Sequence, residues 1–149
     1  GEFDLAIGVP PRSRISAGFT LIELIVVVAV AVILVAIAYP SYSDLVRTAR
    51  RSEAITALGL IQQAQERYRS NNSKYASSLA TLPAPRPVSP TTPGSYYTLT
   101  ISDESATGYT ATATAAAKRG QNKDIECTSL SVTISRGTIT QEPASCWKQ

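Results

Sequence analysis

Glu23 is the only charged residue from Phe19 to Tyr39, and a lone carboxylate among aliphatic side chains asks for a cation. At mid-membrane depth an unpaired charge costs about 2.5 to 3.5 kcal/mol on insertion scales, which pairing with an opposite charge would offset. The plainer alternative seats Glu23 at the lipid headgroups, stem buried and head wet. Other groups able to do chemistry are sparse. Histidine is absent, which removes the commonest general base and the usual pairs of nucleophile and base. Asp103 and Glu104 are adjacent in a turn-like run, where successive side chains diverge. Asp124 and Glu126 are spaced to share one face of a strand and read as solvated surface charge. The glycines are scattered, with no phosphate-cradling pattern. Neither an enzyme nor a bound cofactor is expected.

Two basic groups remain. Arg47, Arg50 and Arg51 follow the apolar stretch, and Lys118, Arg119 and Lys123 gather later. The first could meet anionic headgroups or acidic groups of neighbouring subunits. The second could touch DNA phosphates, although a solvated turn is the simpler reading of three cations in a connection. Net charge is +3, and setting aside residues 1–18 removes two acids and two bases and leaves it unchanged. That balance is mild.

The elements that must carry these groups start with the apolar stretch. From Phe19 to Tyr39 it has 21 residues, which as a helix would reach roughly 32 Å and cross a bilayer core of about 30 Å. Leu24 to Ala38 is apolar on every side, so no wet face is left for a surface helix. Its β-branched residues favour strand, but a lone strand cannot satisfy its backbone in lipid, so a helix is expected. Arg12 and Arg14 precede it and would hold the N-terminal side in the cytoplasm. A secretory signal carries its small-residue cleavage site after the apolar region. Here Ala17 and Gly18 stand before it, so cleavage at Gly18 would leave the anchor on the product. With no Met at its start, the segment 1–18 is set aside as a leader or appended sequence. Burying roughly fifteen aliphatic side chains is worth tens of kcal/mol relative to water, so the stretch leaves lipid only in exchange for other helices. A filament with a helical core meets that condition. A permanent tether would make poor use of Glu23.

Gly18 followed by Phe19-Thr20-Leu21-Ile22-Glu23, then the apolar run and Tyr39-Pro40-Ser41-Tyr42, resembles a type IV prepilin. The resemblance implies that a prepilin peptidase cuts after Gly18 and methylates Phe19, and that Glu23 is the family's glutamate, which sets axial register between subunits. The partners it implies are other pilin subunits through the N-terminal helix, the peptidase, the inner-membrane assembly machinery, and membrane lipid before assembly. It places a single span in the bacterial inner membrane with a periplasmic headpiece, and the assembled subunit in an extracellular pilus. Arg50-Arg51-Ser52-Glu53-Ala54, Gln65-Glu66-Arg67-Tyr68, Tyr75 and Cys146-Trp147 are similar to minor pilins of the PilE type. That similarity implies support of pilus assembly, and through it twitching motility, adhesion or DNA uptake. A major pilin or a type II secretion pseudopilin shares the same anchor. Pseudopilins often carry a calcium loop near the C terminus, for which Asp124, Glu126 and Glu142 are a thin set of acids. A membrane-tethered DNA- or ligand-binding module that never polymerises is the reading from another class.

Cys127 and Cys146 are the only cysteines. With the headpiece on the oxidising side of the membrane they are expected to pair, closing a loop of about 20 residues worth roughly 3 kcal/mol in the chain-entropy model. Free thiols or half a metal site compete with that reading, but without histidine or a third cysteine zinc is poorly served. In the pilin family such a pair bounds a variable loop, here Thr128 to Ser145.

Pro40 lacks an amide donor and clashes with the carbonyl four residues back, so a kink is expected there. With Glu23 it makes the candidate assembly and register set. From Ser41 to Arg69 a helical pattern resumes, with Ala54, Leu58, Ile61, Ala64 and Tyr68 on one apolar stripe that should pack on a sheet. Residues 70–94, with five prolines, read as a long connection that has room for a helical turn near Ser77 to Leu82. Three runs then alternate as strands, Tyr96 to Ile101, Tyr109 to Ala115 and Ser129 to Ile134, and Ser135-Arg136-Gly137 turns into a short last one at Thr138 to Thr140. The expected fold is α+β: the type IV pilin fold, a long N-terminal helix with a hydrophobic and an amphipathic half, on an antiparallel sheet of 3 to 4 strands. The divisions are 1–18 leader, 19–43 span and assembly helix, and 44–149 headpiece, with its sheet in 95–149.

Overall fold

The computed structural model describes residues 8–9, 11, 18–87, 89–117 and 120–148. One helix, α1, covers Leu21–Asn71. Four strands follow, β1 (Tyr97–Ser102), β2 (Gly108–Ala115), β3 (Ser129–Ser135) and β4 (Thr138–Glu142). The chain divides between Ala38 and Tyr39 into two units.

In the first unit the helix begins at a cap. The Glu23 amide donates to the Thr20 hydroxyl at 3.2 Å, which satisfies one of the orphan donors of the first turn, and the Leu24 amide donates to the Thr20 carbonyl at 3.1 Å as the first bond of the helix ladder. Thr20-Leu21-Ile22-Glu23 thus has the residue order of a capping box. The apolar residues beyond are all exposed, Ile22 at 72% and Ile37 at 70% among them. The helix is long and apolar enough to cross a membrane.

In the second unit the sheet is a meander in the order β1-β2-β3-β4, with every neighbouring pair antiparallel. Strand alternation puts Tyr97 and Leu99, Tyr109, Ala111 and Ala113, and Leu130, Val132 and Ile134 on the buried face. They form one core with Ala54, Ala57, Leu58, Ile61 and Ala64 of α1. The expected stripe is this face, except that Tyr68 is only partly buried.

Register is fixed at the turns. Arg136 and Gly137 both have positive φ, 50° and 81°, the conformation that joins β3 to β4 in a two-residue hairpin. Gly108 opens β2 where a Cβ would run into the Ile134 carbonyl. Ser105 closes the preceding turn, accepting from the Gly108 amide through its hydroxyl at 3.0 Å.

The long connection is held rather than loose. Its helical turn is a 3₁₀ turn at Leu79–Thr81. Gln65, fully buried, grips Ala76 from both sides: its amide nitrogen donates to the Ala76 carbonyl at 2.9 Å and its oxygen accepts from the Ala76 amide at 2.8 Å. Further along, Glu53 accepts from the Gly94 amide. The end of the connection covers the edge of β1, with Thr92 donating to Tyr97 and Leu99 to Pro90. One open edge of the sheet is thereby closed.

Candidate functional site

The connection from β2 to β3 carries the basic and acidic residues singled out in the sequence. It is built from two 3₁₀ turns, Gln121–Lys123 and Ile125–Cys127. Gly120, with φ of 72°, makes the left-handed entry into the first of them, a conformation open to glycine at no steric cost. The expectation that Asp124 and Glu126 lie on a strand as solvated charge is corrected here. The segment is not a strand, and Asp124 is only 9% exposed.

Asp124 takes both ends of the Arg51 guanidinium, Nε at 2.7 Å and Nη2 at 2.6 Å. This two-point geometry is the strongest form of a side-chain ion pair. The hydrogen bond to Asp124 raises the Arg51 guanidinium further above its ordinary value. Glu126 stays exposed. Beside the pair, the Gln121 side-chain amide donates to the Arg47 carbonyl at 2.9 Å and to the Tyr97 hydroxyl at 2.8 Å. Burial pushes the Tyr97 hydroxyl upward, and the hydrogen bond from Gln121 partly opposes it. One side chain therefore ties helix, sheet and connection together.

The first basic group, expected to meet anionic headgroups or acidic groups of neighbouring subunits, is engaged within the chain. Arg51 is turned inward to Asp124, while Arg47 meets Asp44 at 3.1 Å and Arg50 lies over the Tyr96 ring, 4.1 Å from its centre. Of the second group, Lys123 is exposed at the end of a 3₁₀ turn, and Lys118 and Arg119 lie outside the described residues. Cys127 and Cys146 are joined in a disulfide with Cα atoms 5.8 Å apart. Both are buried in the core, and the loop they close carries β3 and β4.

The remaining candidate residues are separate from this cluster. Gly18 and Phe19 precede α1 and are exposed, Glu23 stands in its first turn, and Pro40 lies inside it. Among the described residues, no group of three or more metal-ligating side chains gathers. Away from that cluster, the Tyr75 and Tyr109 rings are 4.9 Å apart and Tyr75 donates to Glu66 at 3.4 Å. Burial raises the Tyr109 hydroxyl far above the usual range for tyrosine. It also raises Tyr75, whose neighbour Glu66 adds to the effect.

Sequence reading missed Thr20, Gln65 and Gln121. Thr20 could have been found from its Thr-x-x-Glu spacing. Gln65 falls on the same helical face as Ala54, Leu58 and Ile61, a polar residue in an apolar register. Gln121 carries no local signal, because its partners Arg47 and Tyr97 are remote in sequence.

A capped apolar helix of membrane-spanning length and a headpiece of helix on antiparallel sheet define a type IV pilin. Residues 13–39 match the prokaryotic N-terminal methylation motif. Residues 40–131 match the family described as type IV minor pilin ComP, DNA uptake sequence receptor, and the chain belongs to that family. It is also similar to the type IV major pilin protein PilA of Myxococcus xanthus, 42% identical over 66 residues, and to the fimbrial protein EcpC of Eikenella corrodens, 39% identical over 67 residues. The first match covers 44% of this chain and 29% of PilA, the second 45% of this chain and 44% of EcpC. The chain thus matches less than half the length of either relative.

Proposed function

We propose that this chain is a minor subunit of a type IV pilus that contacts DNA during uptake. The reading is carried by the match of residues 40–131 to a family described as a DNA uptake sequence receptor. In it, a prepilin peptidase cuts after Gly18 and methylates Phe19. The subunit waits in the inner membrane with its headpiece in the periplasm, and the assembly machinery moves it into the filament. Glu23 then pairs with the N-terminal amine of a neighbour and, with Pro40, sets the register. The role is structural and non-enzymatic. The cations of the connection between β2 and β3, Lys118, Arg119 and Lys123, meet DNA phosphates.

Phosphate contact is measurable through salt. For the detergent-solubilised full chain, log affinity for duplex DNA should fall linearly with log salt at a slope of about 0.9 per phosphate neutralised, and replacing the three cations by glutamine should lower that slope by about 2 to 3. DNA binding that is undetectable at low salt, or a slope unchanged in the variant, removes this surface from the reading.

A further inference from the structure

A cleft of about 300 Å³ opens where the second unit begins, lined by Tyr39, Tyr42, Ser43, Arg47, Arg50 and Lys123 among others. Three of these residues are cations, and no carboxylate lines the cleft among the described residues. The acids lie next door, in a hollow that shares Arg47 and Lys123 with the cleft. Asp44, Asp124 and Glu126 line the adjoining hollow, where Asp44 holds Arg47 at 3.1 Å and Asp124 holds Arg51. Arg50 lies over the Tyr96 ring, while Tyr39 and Tyr42 remain 68% and 66% exposed.

Position along the chain decides what such a cleft would meet. Tyr39 directly follows the last residue of the apolar unit, and tyrosine at the end of a span sits at headgroup level, ring in the apolar boundary and hydroxyl in water. Arg47 lies eight residues on, roughly 12 Å along a helix, and helical side chains lean toward the N-terminal turn, here back toward the two tyrosines. The cleft thus combines two tyrosines next to the apolar stretch in sequence with three cations further along the chain, the groups that the glycerol and phosphate of a phospholipid would meet.

We propose that this cleft binds the phosphate of an anionic phospholipid headgroup while the subunit is in the membrane. Tyr39 and Tyr42 flank the glycerol, and Ser43, Arg47, Arg50 and Lys123 face the phosphate. A concave site of this size admits one headgroup. A DNA duplex, whose phosphates run along a convex surface, would reach only the rim. The inference rests on residues 19–38 being a membrane span, which insertion into vesicles tests separately.

The test is lipid retention by the full chain in detergent, read by native mass spectrometry with phosphatidylglycerol or phosphatidylcholine added. Phosphatidylglycerol should be held about tenfold more tightly, in keeping with two or more cations near an anionic headgroup. Arg47→Gln with Arg50→Gln should bring the ratio near one, with the disulfide and the thermal midpoint retained, and Arg47→Lys should restore part of it. Equal retention of the two lipids overturns the proposal, as does a preference unchanged in the double variant. Displacement of the lipid by millimolar inorganic phosphate, or a double variant that loses DNA affinity but keeps its lipid preference, also overturns it, assigning the cleft to free phosphate or to DNA. A chain that inserts into vesicles without headgroup preference refutes the cleft alone. One that fails to insert refutes the span as well.

Discussion

Among the residues of the headpiece, Tyr109 is the one whose chemistry and burial conflict most. It is 1% exposed, and its hydroxyl has no hydrogen-bond partner among the described residues. An unsatisfied buried hydroxyl costs about 1 to 3 kcal/mol, here offset by the ring's packing in the core. The same burial raises its ionisation in the folded state. A folded value above the unfolded one means that the contribution to stability is complete below about pH 10, the ordinary tyrosine value, and is lost as pH rises through the folded value. Tyr109→Phe should therefore be neutral or up to about 1 kcal/mol more stable at pH 7 and should lose less stability above about pH 10 than the parent. Tyr97, also raised by burial, keeps part of the alkaline loss in the variant. Urea titrations at pH 7 and through the alkaline range check both statements, and a variant with an unaltered alkaline slope would show that Tyr109 is not its source.

At the scale of elements, the Arg51 and Asp124 pair joins residues 73 apart in sequence and fastens an otherwise irregular connection to α1. Removing one partner of a buried pair leaves the other uncompensated, at a cost of about 3 to 5 kcal/mol. Asp124→Asn should destabilise the headpiece toward the lower end of that range, and amide exchange should quicken first in residues 120–128. Arg51→Lys should also lose stability, since an ammonium cannot reproduce the two-point fork. A melting point within a degree of the parent in both variants would mean that the pair contributes nothing. This pair marks where sequence reading stops. Helix, strands and the Arg136 turn were legible because 3.6- and 2-residue periods and turn residues are local signals. The inward turn of Asp124 was not, because in sequence it resembles Glu126, and only the distant placement of Arg51 separates them. Gln65 was hidden for a related reason: a buried amide needs a backbone partner, and Ala76 supplies one only after the chain doubles back.

On the scale of the whole molecule, the two units are unequally complete. The headpiece closes its own core around Leu58, Tyr97 and Leu130, whereas the large apolar residues from Leu21 to Ile37 are all at least half exposed in the single chain. Tens of kcal/mol of hydrophobic transfer are thus held for lipid or for other helices. What Glu23 adds has to be separated from what the helix cap adds, since its amide is bound by Thr20 and its negative charge suits a helix N-terminus. Glu23→Gln makes that separation, because glutamine serves the third position of a capping box as well as glutamate does and the helix-dipole interaction it gives up is worth only about 0.3 to 1 kcal/mol. If the carboxylate pairs with a neighbour's amine, the variant should reach the membrane with a folded, disulfide-bonded headpiece yet enter sheared filaments at well under a tenth of the parental level. Thr20→Ala, which keeps the charge and weakens the cap by about 1 kcal/mol, should assemble nearly normally. The reverse ranking, with Thr20→Ala excluded and Glu23→Gln incorporated, would make the helix start, and not the charge, the condition for assembly.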